Sequence, residues 1–265
     1  MESTSSPPID RPTHGASAVP TPEPNRISRL AVVTMLPLRL VGFAVFQALF
    51  ALGFLLQGRQ DWWDAAVPWW PIAAVLTNLV TVALLARHLR REGRRFWDLF
   101  HVDRTRVRRD VGIVVGLAAI SGVLVVAPNF GLATLLFGNA EAPLDTFIQP
   151  LPPWAAVSAL VLFPVTIALS ELAAYFGYIQ PRVEILTGRP WTAIGLTAAF
   201  LALQHAALPL VIEWRFATWR AVMFLPFALF LGIVLRRRPG LLAYLAILHG
   251  LADLQVAFMI LSVSL

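Results

Sequence analysis

The chain contains no cysteine and no lysine, and charged residues make up only 14% of its 265 positions. Without cysteine it holds no disulfide, offers no thiolate to a metal and has no thiol nucleophile. Without lysine, all of its 21 basic residues are arginine, so its pI of 11.1 rests on guanidinium groups. Such groups clamp lipid phosphates bidentately, and the composition around them does not suit a nucleic-acid surface. What is abundant is apolar: 58% of residues are hydrophobic and the mean hydropathy is +0.71, far outside the range of a soluble domain. The expectation is a polytopic membrane protein.

Residues 1–30 are rich in Pro, Ser and Thr and poor in large apolar side chains. They bury too little to offset the entropy of ordering, so a disordered tail is expected there. Its layout is not that of a cleaved signal peptide, because the first apolar run starts late and no small-residue cleavage site follows. The remainder, 31–265, reads as one transmembrane helical domain. Seven apolar stretches follow the tail, at 35–57, 69–87, 110–128, 155–178, 190–210, 220–235 and 241–263. Each is near the ~20 residues an α-helix needs to cross a hydrocarbon core, and none alternates as a barrel strand would. The predicted fold class is therefore all-α, a polytopic bundle of about seven spans.

Orientation follows from arginine. The connection after the second stretch carries Arg87, Arg90, Arg91, Arg94, Arg95, Arg104, Arg106, Arg108 and Arg109, which the positive-inside rule places in the cytoplasm. Arg182, Arg189 and the run Arg236, Arg237, Arg238 then fall on the same side, and Glu141 and Asp145 on the other. The N-terminus is expected inside and the C-terminus outside. One connection breaks the pattern: 211–219 with Arg220 brings Glu213, Arg215 and Arg220 to the outer side, where Trp214 and Trp219 suit an interface. Trp62, Trp63, Trp69 and Trp70 read as an aromatic belt, and Asn78 and Thr77 as hydrogen-bonding groups between helices. The segment 129–138 either extends the third helix past Pro128 or folds back, and Gly177 marks either a close approach or a break.

Two histidines and two carboxylates stand inside these apolar stretches: Glu171, His205, His249 and Asp253. A charge at the bilayer centre costs roughly 3 kcal/mol, so such residues usually face the bundle interior and serve function. Glu171 stands about ten residues before Pro181, roughly 15 Å from the cytoplasmic end of its helix. His249 and Asp253 are four apart and share a helix face. His205 comes out deeper, near 22 Å, unless its helix tilts or starts at the interface. If they converge, Glu171 suits a general base that takes a proton from a water held by His205. His249 would stabilise the oxyanion, and Asp253 would orient its imidazole or polarise the carbonyl. The same four side chains are also a zinc-like ligand set for a divalent metal, although the chain has no H-E-x-x-H. A membrane histidine can also serve as a plain hydrogen-bonding strut.

These residues resemble the motifs of the CPBP family, the membrane-embedded proteases that include the type II CAAX prenyl endopeptidases and bacterial relatives linked to bacteriocin self-immunity. Its three motifs are E-E-x-x-x-R, then F-x-x-x-H, then H-x-x-x-N or H-x-x-x-D. Here ELAAYFGYIQPR from Glu171 looks like the first, LALQH ending at His205 like the second, and HGLAD from His249 to Asp253 like the third. The resemblance covers 155–260, which would be the catalytic core. It implies Glu171 as the base, His205 as its partner, and His249 with Asp253 as the oxyanion and orienting pair. Leu172 stands where the family has a second glutamate, Phe176 where it has arginine, and Leu201 where it has phenylalanine. Losing a carboxylate and a cation together leaves no unpaired buried charge.

The leading expectation is a glutamate-dependent intramembrane endopeptidase of a multi-pass cell-membrane protein. Its partners would be membrane lipids and a membrane-bound or lipidated protein or peptide substrate, not nucleic acid. The alternatives are a catalytically silent relative that acts in self-immunity or modulates a partner, and a proton-coupled transporter. Against the transporter, the chain shows no repeated halves or paired broken helices. The arginine-only basic set suggests a bacterial source.

Overall fold

The computed structural model describes residues 27–265, and among these every regular element is a helix. A short α1 (Arg29–Met35) is capped by Ser28, whose hydroxyl accepts from the Ala31 amide at 3.3 Å. Then come α2 (Leu38–Leu56), α3 (Trp70–Arg91), α4 (Val107–Phe137) and the single turn α5 (Leu144–Phe147). After these α6 (Pro153–Leu172) runs through a π-helical segment, Ala173–Ile179, into α7 (Gln180–Thr187). The chain ends with α8 (Pro190–Gln204), α9 (Trp214–Met223), α10 (Leu225–Arg237) and α11 (Leu242–Ser264). Of the expected tail, residues 1–26 lie outside the described residues, while Arg29 and Leu30 already belong to α1.

Among the described residues, six segments are long and apolar enough to cross a membrane: Leu38–Leu56, Asp64–Arg91, Val107–Phe137, Pro153–Thr187, Trp214–Arg237 and Pro239–Ser264. The stretch expected at 190–210 is helical only over Pro190–Gln204. At 1.5 Å per residue that is about 22 Å, short of a hydrocarbon core of ~30 Å. Residues 129–138 extend α4 straight through Pro128 to Phe137.

Burial is arranged as a lipid solvent requires, with apolar side chains turned out and polar ones in. Val115, Val123, Leu135, Val161, Ile247 and Phe258 are exposed, whereas Arg39, Asn78, Ser170, Glu171, Arg182 and Gln204 are buried. In lipid, every buried polar group must be satisfied by protein, so these side chains bond between helices rather than to solvent.

Two apolar clusters divide the bundle along its length. One gathers Leu85, Leu89, Leu99, Leu172, Val183, Leu201, Leu235 and Leu245; the other Phe43, Trp70, Ala133, Phe163, Leu208, Trp219 and Ile260. The first lies at the arginine-rich end. There Arg182 pairs with Glu92, Nε to Oε1 at 2.9 Å, while Arg236 pairs with Glu184. These contacts bring the connections around 92, 182–189 and 236–238 to one end. Between the clusters runs a polar layer. Reading along α2, α3, α6, α8 and α11, the chain leaves one cluster and enters the other at Arg39, Asn78, Glu171, Gln204 and the His249–Asp253 turn.

Three expected roles change once packing is visible. Trp70 is not part of a belt: it is buried, stacked on Phe147 with ring centroids 4.7 Å apart, and its indole N–H donates to the Phe147 carbonyl. Trp219 is likewise buried and donates to Asn129. Thr77 makes no side-chain hydrogen bond. Its methyl fills the space beside Gly42, where a Cβ would lie 2.7 Å from Thr77 Cγ2. Gly177 marks a close approach, since a Cβ there would meet Leu242 and Leu99.

Candidate active site

The α6–α11 contact sets the site. Gly250 lets the two helices approach so closely that a Cβ on it would lie 2.8 Å from the Pro164 carbonyl oxygen and 3.0 Å from Ala168 Cβ. His249 and Asp253 flank that glycine on α11, and Glu171 lies in the last turn of α6, immediately before the π-helical segment. π-Helical turns are rare and concentrate at functional sites, because the extra residue per turn re-aims neighbouring side chains.

Glu171 is 1% exposed, and its two carboxylate oxygens have different surroundings. Oε2 accepts from Gln204 Nε2 at 2.6 Å and from Arg39 Nη2 at 3.2 Å. Oε1 faces His249 Nε2 at 3.0 Å, but off the line of a hydrogen bond, so it has no hydrogen-bond partner. His249 Nε2 also lies 3.5 Å from Asp253 Oδ2. Glu171, His249 and Asp253, expected to converge, are thus brought together as a short row on two helices.

His205 is placed beside this row rather than in it. It is the first residue past α8, its Nδ1 lies 2.8 Å from the Leu201 carbonyl oxygen, and its ring stacks on Phe224 with centroids 3.9 Å apart. With Nδ1–H donating to that carbonyl, the other ring nitrogen carries the lone pair. No hydrogen bond or ion pair links His205 to Glu171 or His249 among the described residues. The depth mismatch is resolved by the short α8, which ends level with Glu171, so that Gln204 reaches the carboxylate directly.

Two site residues escaped the reading of the sequence. Arg39, on α2, donates to Gln204 Oε1 at 2.7 Å, Asn78 Oδ1 at 2.7 Å and Ser170 Oγ at 3.0 Å as well as to Glu171. Gln204 bridges Arg39 and Glu171, and its amide orientation is forced: Arg39 has only donors and a carboxylate only acceptors. Tyr175 adds a hydroxyl donor to Gln204 Oε1 at 3.2 Å, and Asn78 donates on to Thr166. The signal for Arg39 was present, an arginine inside an apolar run, and it carries the same warrant as Glu171. Gln204 gave no such signal. Phe176 and Leu172, standing where the resembled motif has arginine and glutamate, are buried in the apolar cluster at the arginine-rich end. The cation beside Glu171 comes from a different helix.

The arrangement suits proton transfer at one carboxylate oxygen. Arg39 and Gln204 hold Oε2 and fix the plane of the group, while Oε1 is left to exchange a proton with a group brought against it. As to a metal, no group of three or more His, Asp or Glu side chains among the described residues is arranged to hold an ion. Arg39 already neutralises the charge of Glu171, which a cation would otherwise do. The irregular turn after His205 is buried and held by protein: Gln47 brackets Leu210, donating to its carbonyl at 2.7 Å and accepting from its amide at 2.8 Å. Arg220 donates to the Leu208 carbonyl at 3.0 Å. Non-helical backbone at membrane depth survives only with such support, and it commonly lines a site.

No family model, no curated protein and no solved structure matches this chain.

Proposed function

We propose that the protein is a glutamate-dependent intramembrane endopeptidase of the CPBP type, a multi-pass cell-membrane protein of seven spans with its N-terminus in the cytoplasm. The seventh span would be the short α8, completed by the turn that follows it. One observation carries the reading: a buried glutamate anchored through one oxygen, with the other facing a histidine at 3.0 Å and an aspartate one helical turn further on. The first and third resembled motifs supply these residues from α6 and α11, the second places His205 beside them, and the arginine-bearing connections gather at one end as positive-inside sorting would place them.

The residues divide the work as follows. Glu171 Oε1 takes a proton from a water, whose oxygen adds to the carbonyl carbon of a peptide bond. The carbonyl π pair moves to its oxygen, and His249 donates a hydrogen bond to the oxyanion. The tetrahedral carbon then re-forms the carbonyl as the C–N bond breaks, and the proton on Glu171 passes to the leaving nitrogen. His205, through the nitrogen not bonded to Leu201, accepts a hydrogen bond from the water before attack. Arg39 and Gln204 are positioning residues.

The test is a comparison of membrane-protein terminal peptides from cells making wild-type or Glu171→Gln protein at matched levels. New termini that vanish with Glu171→Gln are expected. Identical profiles would sink the reading and leave the second one, a catalytically silent member acting on a partner. That reading draws support from the full burial of Glu171 and its ion pair with Arg39. A deletion phenotype fully rescued by Glu171→Gln would establish it.

A further inference from the structure

Arg220 and Asp253 are opposite charges that do not meet. Arg220 is 4% exposed, and its guanidinium lies 4.3 Å from the Phe147 ring centroid, 5.3 Å from that of Phe224 and 5.5 Å from that of Trp219. Nη2 donates to the Leu208 carbonyl, but Nε is buried without a hydrogen-bond partner. No described carboxylate comes within 4.0 Å of it. Asp253 Oδ2, on α11, is also buried without a hydrogen-bond partner. The three rings around Arg220 pack in one apolar cluster with Val256 and Ala257, which stand one turn beyond Asp253 on α11. Both charges are bounded by the site: Asp253 lies against His249, and Arg220 shares the Phe224 ring with His205.

An unsatisfied buried polar atom costs about 1–3 kcal/mol, more when charged, so two of them at one place call for a ligand that serves both. Arginine can only donate and a carboxylate only accept. A free anion would gain from Arg220 but be repelled by Asp253 and Glu171. A cation would meet the reverse. The group that gains from both is neutral and carries an acceptor on one side and a donor on the opposite side, which is a trans secondary amide lying between them. Helical peptides use their amides internally, so the amide must belong to an unwound, extended segment. The aromatic rings around Arg220 give that segment an apolar wall.

Resting on the peptidase reading, we propose that Arg220 and Asp253 clamp one backbone amide of an extended apolar peptide. Its carbonyl accepts from Arg220 Nε and its N–H donates to Asp253 Oδ2. The clamp fixes the register of the chain so that a neighbouring amide reaches Glu171.

The test uses full-length Glu171→Gln protein in phospholipid nanodiscs, which cannot consume the ligand. The probe is a fluorescently labelled acetyl-Leu-Ala-Val-Leu-Ala-Val-amide, read by anisotropy against empty nanodiscs, beside its fully N-methylated counterpart, which keeps the carbonyls but has no backbone N–H. The expected result is saturable binding of the first peptide and at least tenfold weaker binding of the second. Adding Arg220→Met should weaken the first at least tenfold, and Arg220→Lys only a few-fold. Equal affinity for the two peptides, unchanged affinity in Arg220→Met, or no saturable binding at all would each overturn the clamp. Should Arg220→Met fail to fold, Asp253→Leu in the same background gives the same reading from the other jaw. Cleavage that persists in Glu171→Gln would overturn the peptidase reading instead, whatever the binding shows.

Discussion

Arg39 and Arg220 are both buried arginines inside apolar spans, yet their surroundings differ. Arg39 spends its donors on Gln204, Asn78, Ser170 and Glu171, four partners from three helices other than its own. Arg220 has one carbonyl, three aromatic rings and a free Nε. A fully satisfied buried network rigidifies, because any movement leaves several groups unpaired in a low dielectric. An unsatisfied cation has less to lose by moving and more to gain by binding. The difference marks one side of the polar layer as frame and the other as the place where a ligand fits.

The comparison breaks most visibly at Arg39. Arg39→Met strands Glu171 as an uncompensated buried charge and leaves Asn78 and Gln204 short of a donor, so a loss of about 3–5 kcal/mol is expected. Thermal unfolding in detergent would measure it. The double variant Arg39→Met/Glu171→Gln should recover a large part, because no charge then remains unpaired. If the double variant is no more stable than the single, Arg39 is not the counter-ion of Glu171 and the frame interpretation fails.

Gly250→Ala comes next. The added methyl would meet the Pro164 carbonyl oxygen, which belongs to backbone and cannot swing away, so α11 has to shift off α6. Overpacking of this kind costs about 1–3 kcal/mol. Its sharper consequence is geometric: His249 retreats from Glu171, and Glu171-dependent termini should disappear while the protein still folds. Unimpaired cleavage would show that the 3.0 Å approach of His249 to Glu171 is not needed.

Arg220→Met should be milder. It removes one hydrogen bond to Leu208 and the ring contacts but also relieves the burial of an unpaired cation, so a net change within about 1 kcal/mol is expected. A loss as large as that of Arg39→Met would make the two arginines alike and turn Arg220 into a strut.

How far the site could be read from residues alone follows the same division. The all-helical bundle, Glu171, His249 and Asp253 were legible because ionisable groups in apolar runs stand out, and the i, i+4 spacing on α11 places two of them together. His205 was legible as a residue but not in its placement, since the end of α8 at Gln204 depends on Gln47 and Arg220 holding the following turn. Arg39 breaks an apolar run in the same way, but it stands on α2, more than a hundred residues before the motifs of 155–260, and only tertiary contacts join it to them. Gln204 was beyond reach: an uncharged amide in a helix says nothing of its partners until tertiary structure supplies them. The apparent charge violation at Arg220 had a tertiary cause as well, since the side chain turns inward to Leu208 instead of facing an outer surface.

The smallest effect is expected at the arginine-rich end, where two ion pairs repeat the contrast between satisfied burial and exposure. Arg182 is fully buried, doubly bonded to Glu92, donates to the Tyr178 carbonyl and lies 3.7 Å from the Tyr178 ring centroid. Arg236 makes an equally well-formed fork with Glu184, at 2.9 and 2.8 Å, but both side chains are partly open. Geometry on paper is alike; solvation is not. Water and salt screen the second pair, and holding two long side chains in one geometry cancels much of what remains. Arg236→Gln should therefore leave the melting temperature unchanged within error at moderate salt, whereas Arg182→Gln lowers it clearly. Equal losses would mean that the Arg236–Glu184 fork is shielded, as it would be if headgroups cover this end of α10, and repeating the pair of measurements at high salt would separate that cover from direct packing.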